Sequence, residues 1–180
     1  HNVATALMTD TFTRLGYTFS GWNTAANGSG TAYADSASYP FTSDVTLYAQ
    51  WTALPNHTVV FDNNGGTGTM ADEVHNIATA LTTDTFTRLG YSFSGWATTS
   101  GGAVAYADGA SFPFTADATL YAQWTALPNH TVIFDNNGGT GVMANEVHNV
   151  ATALSTDTFT RAGYSFTGWN TAANGSGTAY

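Results

Sequence analysis

The chain has 180 residues, of which 43 % are hydrophobic, 14 % aromatic and only 8 % charged, against about 25 % charged in a typical globular domain. Twelve acidic residues face three basic ones, Arg14, Arg88 and Arg161, for a formal net charge of -9; without clustered cations a nucleic-acid partner is excluded and an anionic membrane surface disfavoured. There is no cysteine for disulfides or thiolate metal sites and no lysine for Schiff-base chemistry or isopeptide cross-links, and no stretch reaches the ~18 apolar residues of a membrane span, so no insertion is expected in this segment.

Internal repetition organises the chain. HTVVFDNNGGTGTMADEVHN from His57 returns at His130 as HTVIFDNNGGTGVMANEVHN, and TDTFTRLGYTFSGW, ending at Trp22, returns ending at Trp96 and Trp169. The chain therefore divides into 1–56, an incomplete repeat lacking its first hairpin; 57–129, a complete repeat; and 130–180, an incomplete repeat lacking its last strands. A period of about 73 residues exceeds the common solenoid repeats and has the size of a small autonomous domain. With His1 in place of methionine, the sequence reads as a processed or excised piece. Its phase fits a window of a longer array, or a subunit that completes itself with a neighbour.

Elements follow in chain order through the complete copy. Thr58–Asp62 is β-branched and aromatic, hence a strand. Asn63-Asn64-Gly65-Gly66 supplies the positive φ angles of a tight hairpin turn, with 69–77 as the return strand. Residues 78–90 are Thr-rich, and Thr83 or Asp84 is expected to cap one short helical turn ended by Gly90. Tyr91–Trp96 alternates aromatic with small polar residues, a half-buried strand. A short strand at 103–107 and a closing strand at Thr119–Trp124 complete the copy. The expected core is Val59, Phe61, Tyr91, Phe93, Leu120 and Trp124, with Trp96 on or near it. The joints are TALPN, Thr52–Asn56 and Thr125–Asn129, where Pro55 or Pro128 stiffens the chain and holds neighbouring beads in a fairly fixed relation.

The string FDNNGG, then TRLGYSFSGW, then TLYAQW resembles the Listeria–Bacteroides repeat, the internalin-B-type B repeat. Asp62, Asn64, Gly65, Gly66, Arg88, Gly90, Tyr91, Phe93, Gly95, Trp96, Leu120, Tyr121, Ala122 and Trp124 carry the resemblance in the complete copy. It implies a mainly β fold with a minor α contribution, built as tandem small β-grasp-like domains. It also implies arrays on secreted or surface-anchored proteins, with spacer, adhesion or assembly roles. The chain departs from the family pattern in lacking lysine and in placing Phe86 where a proline usually precedes Thr-Arg.

Several constellations admit a functional and a plainer reading. The loop from Asp62 to Gly68 lacks the alternate acids and distant bidentate Glu of a calcium loop, and reads as a turn. Glu73-x-His75 and Glu146-x-His148, with His57 and His130 at the joints, have zinc-ligand chemistry, but exposed strand residues account for them better; His1 matches His75 without its Glu. Each arginine, beside Gly-Tyr, is expected to have a structural carboxylate or carbonyl partner. Tyr91, Trp96, Tyr106 and Tyr121 are candidate ligand-facing aromatics for sugar stacking, with core and inter-bead packing as the alternative. Asn27, Asn56, Asn129 and Asn174 open N-glycosylation sequons. No catalytic, cofactor-binding or metal residue is assigned, and no enzyme is expected.

The expectation is a structural extracellular protein, part of a cell-surface stalk, fibre or filament of β-rich beads. Its partners would be further repeats or neighbouring copies of itself. The alternative is an adhesin that presents exposed aromatics to glycan or host protein.

Overall fold

Runs of β-branched and aromatic residues set the strands, and glycines with Asn and Asp separate them. The computed structural model describes residues 3–180. Among them are thirteen strands and no helix. They are β1 (Thr5–Ala6), β2 (Tyr17–Asn23), β3 (Ala32–Tyr33), β4 (Ser38–Tyr39), β5 (Tyr48–Ala53), β6 (His57–Asp62), β7 (Glu73–His75), β8 (Thr79–Ala80), β9 (Tyr91–Ala97), β10 (Ser111–Phe112), β11 (Ala118–Ala126), β12 (His130–Val132) and β13 (Glu146–His148).

The complete repeat is built on a four-stranded sheet of order β7-β6-β11-β9. β6 and β7 are antiparallel, with His57 opposite His75 and Val59 opposite Glu73. β11 returns parallel to β6, with Ala118 opposite Val59 and Leu120 opposite Phe61. An opening hairpin whose first strand is flanked by the parallel closing strand is the strand arrangement expected of a β-grasp-like domain. Beside this sheet β8 pairs with β10. The first repeat contributes β3-β2-β5 and the small pair β1-β4. The last repeat contributes the hairpin β12-β13 and the bridges Thr140–Thr160 and Asn170–Ala179.

Trp96 is the centre of the core, with no exposed surface. Phe61, Phe93 and Phe86 surround it with ring centroids at 4.8, 4.9 and 6.0 Å. Val59, Leu120, Ala122 and Phe114 are buried with it, and Leu81, Phe86 and Phe112 extend the core beyond the residues expected. Tyr91, expected inside, is 37 % exposed, and Trp124 is half-buried. In the equivalent strand β2 the pairing register shifts between Phe19 and Gly21. Such a bulge breaks the period-2 alternation and brings Trp22, three positions on, beside Phe19 with ring centroids 5.1 Å apart.

The helical turn expected within 78–90 is absent, so the minor α contribution is corrected. Thr79–Ala80 joins β10 instead. Asp84 does not cap a helix: its Oδ1 accepts the Phe86 N–H at 3.0 Å, and its own N–H donates to Asp108 Oδ1 at 2.7 Å. A β-branched run with side chains that capture nearby amides favours extended, Asx-turned backbone over a helix. The expected strand at 103–107 is reduced to the single bridge Trp96–Tyr106.

The described residues fall into two compact units: the first runs up to Phe86 and includes Phe93–Gln123, and the second is Thr87–Ser92 with Trp124–Tyr180. The division does not follow the repeat borders, because the end of each repeat bonds to the start of the next.

Candidate functional site: the repeat joint and the surface aromatics

Three residues separate β5 from β6, and three separate β11 from β12. Each joint is then closed by an asparagine from the following hairpin. In the first unit the Asn76 side-chain amide donates to the carbonyls of Gly16 (3.1 Å) and Leu54 (3.3 Å), while Leu54 N–H donates to Gly16 O at 2.8 Å. In the second unit Asn149 donates to Gly90 O (3.0 Å) and Leu127 O (3.4 Å), and Leu127 N–H to Gly90 O at 2.8 Å. One amide thus satisfies two carbonyls at the end of the preceding repeat.

Glycine is required at the receiving turn. Gly16 and Gly90 have φ of +77° and +76°, a region that side chains rarely enter. A Cβ on Gly90 would lie 2.9 Å from Asn149 Oδ1 and 3.2 Å from Val150 Cγ1; on Gly16 it would meet Asn76 and Ile77 at 3.1 and 3.2 Å. Gly163, the equivalent in the last repeat, has φ +78° and nothing within 4 Å.

The same turn carries the protein's cations. Arg14, Arg88 and Arg161 lie over the rings of Tyr17, Tyr91 and Tyr164, 3.9, 4.1 and 4.3 Å from their centroids. Arg161 also donates to Asn137 O at 3.3 Å, a carbonyl partner of the kind expected. Among the described residues none of the three has a carboxylate in ion-pairing range. An exposed cation–π pair is worth about 0.5–1 kcal/mol, so these stacks order a surface rather than hold the fold.

Among the ligand-facing candidates, Trp96 is corrected: it is the buried centre of the core. Tyr106 is half-buried, with its ring 5.0 Å from that of Phe112, and Tyr121 is half-buried on β11. Tyr91 is the open one, capped by Arg88. The loop after Asp62 uses its polar groups internally. Asp62 Oδ1 accepts Asn64 N–H at 2.7 Å, and the Asn64 amide donates to Ser100 O (2.7 Å) and Ala122 O (2.8 Å). This is a pinned turn, with Asn64 at φ +46°.

The Glu-x-His pairs are likewise turned to the fold. Glu73 Oε1 accepts Thr82 N–H, and Glu146 Oε1 accepts Ser155 N–H, both at 2.7 Å. The Ser155 hydroxyl and amide together hold the Glu146 carboxyl below its ordinary pKa. His57 faces His75 across β6–β7, and its Nδ1 lies 3.5 Å from Asp117; His130 faces His148. Among the described residues no three His, Asp or Glu side chains group as a metal site, and His1 lies outside the described residues. Asn27, Asn56, Asn129 and Asn174 are all exposed. Asn27 and Asn174 Oδ1 each accept the hydroxyl of their own sequon serine at 2.7 Å.

The joint asparagines were not singled out from sequence. The only available signal was the recurrence of His-Asn at the end of each Glu-Val-His strand. The carbonyls they bind belong to another repeat, 22 and about 60 positions earlier.

Comparison with known proteins agrees with this architecture. The model of the Listeria–Bacteroides repeat domain matches residues 2–50, 57–123 and 130–180. A protein of Evansella cellulosilytica named as a Gly-rich membrane protein is 39 % identical over 142 residues, 72 % of this chain and 16 % of its own length. A second, named as a membrane protein, is 32 % identical over 139 residues, 74 % of this chain and 20 % of its length. Internalin H of Listeria monocytogenes is 35 % identical over 119 residues, 65 % of this chain and 21 % of its length. The chain thus spans about a fifth or less of these relatives, and no solved structure matches it. With three matches in tandem, each carrying the same glycine turn and Arg-over-Tyr stack, the chain belongs to the Listeria–Bacteroides repeat domain family.

Proposed function

We propose that this chain is a structural, non-catalytic segment of an extracellular stalk, fibre or filament at the cell surface, with further repeats or neighbouring copies as its partners. The observation that carries this reading is the joint. Asn76 and Asn149 make the same pair of hydrogen bonds to the preceding repeat, at distances matched to within 0.1 Å. A freely jointed string needs no such bond, and repeat arrays take their stability from just such neighbour contacts. Similarity to internalin H and to two proteins named for the membrane supports a surface location.

The test is the distance between spin labels on Ala26→Cys and Gly101→Cys, exposed loop positions in the first and complete repeats of a cysteine-free chain. A single narrow distribution that broadens with Asn76→Ala is expected. A broad distribution in the otherwise unaltered chain would overturn the reading.

A second reading, an adhesin, draws on the Arg-over-Tyr surface at Arg14–Tyr17, Arg88–Tyr91 and Arg161–Tyr164. Binding on a glycan array that is lost in Arg88→Ala with Tyr91→Ala would favour it.

A further inference from the structure

Asn-Gly occurs four times, at Asn27, Asn64, Asn137 and Asn174. Asparagine before glycine is open to cyclisation, because no Cβ on the following residue keeps its backbone nitrogen away from the asparagine Cγ. The fold treats the four differently. At Asn64 the side-chain nitrogen, the leaving group of that reaction, donates to Ser100 O at 2.7 Å and to Ala122 O at 2.8 Å. Asn137 likewise donates to Ala173 O at 2.8 Å. At Asn27 and Asn174 it is the side-chain oxygen that is held. Asn27 Oδ1 accepts the Ser29 hydroxyl at 2.7 Å and the Ser29 N–H at 3.1 Å. Asn174 Oδ1 accepts the Ser176 hydroxyl and N–H at the same two distances. Both asparagines are exposed.

Two donors on one amide oxygen act as an oxyanion hole. They draw electrons from Cγ and stabilise the negative charge that reaches Oδ1 when a nucleophile adds. The bond to Ser29 N–H also closes a ring that contains Oδ1, Cγ, Cβ, Cα and C of Asn27 and the Gly28 nitrogen. All of those atoms but Oδ1 make up a succinimide. A buried asparagine holds the loop in this shape. Asn23, 3 % exposed, accepts Ala25 N–H (2.9 Å) and Gly30 N–H (3.0 Å) and donates to Gly28 O (3.1 Å). Asn170 repeats these bonds to Ala172, Gly177 and Gly175 at 2.9, 3.0 and 3.2 Å. The bond that opposes the reaction is a turn bond, Gly28 N–H to Ala25 O at 3.0 Å.

We propose that Asn27 and Asn174 are sites of self-modification, at which the folded loop converts asparagine to aspartate and isoaspartate. Hydroxide takes the Gly28 N–H proton, and the nitrogen adds to Asn27 Cγ. The Cγ–Nδ2 bond then breaks, and the nitrogen takes a proton from water and leaves as ammonia. Water opens the succinimide at the side-chain carbonyl to give aspartate, or at the main-chain carbonyl to give isoaspartate. In sum one water enters and one ammonia leaves. Each conversion adds a negative charge to a chain already at -9. Isoaspartate also lengthens the backbone between β2 and β3, which pair at Trp22–Tyr33 and Asn23–Ala32. The complete repeat has no asparagine from Ala97 to Tyr106, so this chemistry belongs to the first and last repeats.

The experiment incubates the folded 180-residue protein at mildly alkaline pH and follows each Asn-Gly by peptide mass spectrometry. Hydroxylamine, which cleaves the chain at a succinimide, is the probe for the intermediate. Asn27 and Asn174 should convert while Asn64 stays intact, and the preference should vanish in guanidinium chloride. Ser29→Ala removes the hydroxyl donor at an exposed position. It should slow Asn27 by a few-fold to about tenfold, the worth of one hydrogen bond, with Asn174 as the unaltered reference in the same chain. Asn27 converting no faster than Asn64 in the folded protein would overturn the inference. So would a rate at Asn27 that Ser29→Ala leaves unchanged, or a preference that persists in the unfolded chain and therefore belongs to local sequence.

Discussion

At the residue scale, side-chain amides and carboxylates do the work that helix caps do elsewhere. Asn64 sits at φ +46° and gives both amide hydrogens to carbonyls about 36 and 58 positions away. Replacement by Ala removes two hydrogen bonds, each worth about 0.5–1.5 kcal/mol net, and puts a Cβ in left-handed backbone at roughly 1–2 kcal/mol. Asn64→Ala should therefore lower stability by about 2–4 kcal/mol in urea unfolding followed by tryptophan fluorescence. Asn64→Gly, free of the backbone cost, should lose less. Asp84 is the opposite case. Burial, and then the neighbouring Asp108 charge, push its carboxyl up from 3.8 despite the Phe86 amide. A carboxyl with a raised folded pKa contributes stability that is fully present below its unfolded pKa and is lost as pH rises through the folded one. Asp84→Asn keeps the Oδ1 acceptor and drops the charge. It should stabilise at pH 7 by less than about 1 kcal/mol for so open a site, with the gain vanishing as pH falls below the unfolded value, read from melting temperatures across pH.

At the element scale, pairing decides which residues are strand. VTLY and ATLY differ by one residue, yet Ala118–Leu120 belong to β11 while Val45–Leu47 lie outside β5. The difference is β6, present beside one and not the other. The same leucine therefore carries different weight in the two repeats. Leu120→Ala empties a fully buried position and should cost about 2–5 kcal/mol. Leu47→Ala, at a half-buried one, should cost clearly less. Urea titration of both variants checks the order, and equal losses would show that Leu47 is as well covered in solution as Leu120. Strands of six or more residues were legible in advance because β-branched and aromatic runs bounded by turn residues suffice. The two-residue pair β8–β10 was not. Its partners lie some thirty positions apart, and neither has a local period to read.

At the scale of the whole molecule, the repeats are coupled through one turn. Gly90→Ala and Gly163→Ala incur the same left-handed backbone cost, since their φ angles are +76° and +78°. Only at Gly90 does the new methyl press on Asn149 and Val150. Gly90→Ala should thus be the more destabilising by about 1–3 kcal/mol, the worth of the two asparagine bonds, and thermal unfolding of the pair isolates the joint from the turn. Equal melting temperatures would mean that the joint contributes nothing.

The amino-acid sequence by itself determined the repeat, its period, its main strands, the Asn-Gly turn and the family, because each rests on local pattern or on self-similarity. Tertiary structure decided the rest. It put Trp96 rather than Tyr91 at the centre, packed among three phenylalanines from separate parts of the chain, while Tyr91 stays exposed beneath Arg88. It turned the expected helix into paired and Asx-turned chain. And it made Asn76 and Asn149 the bonds between repeats, because their partners are carbonyls that only folding brings within reach.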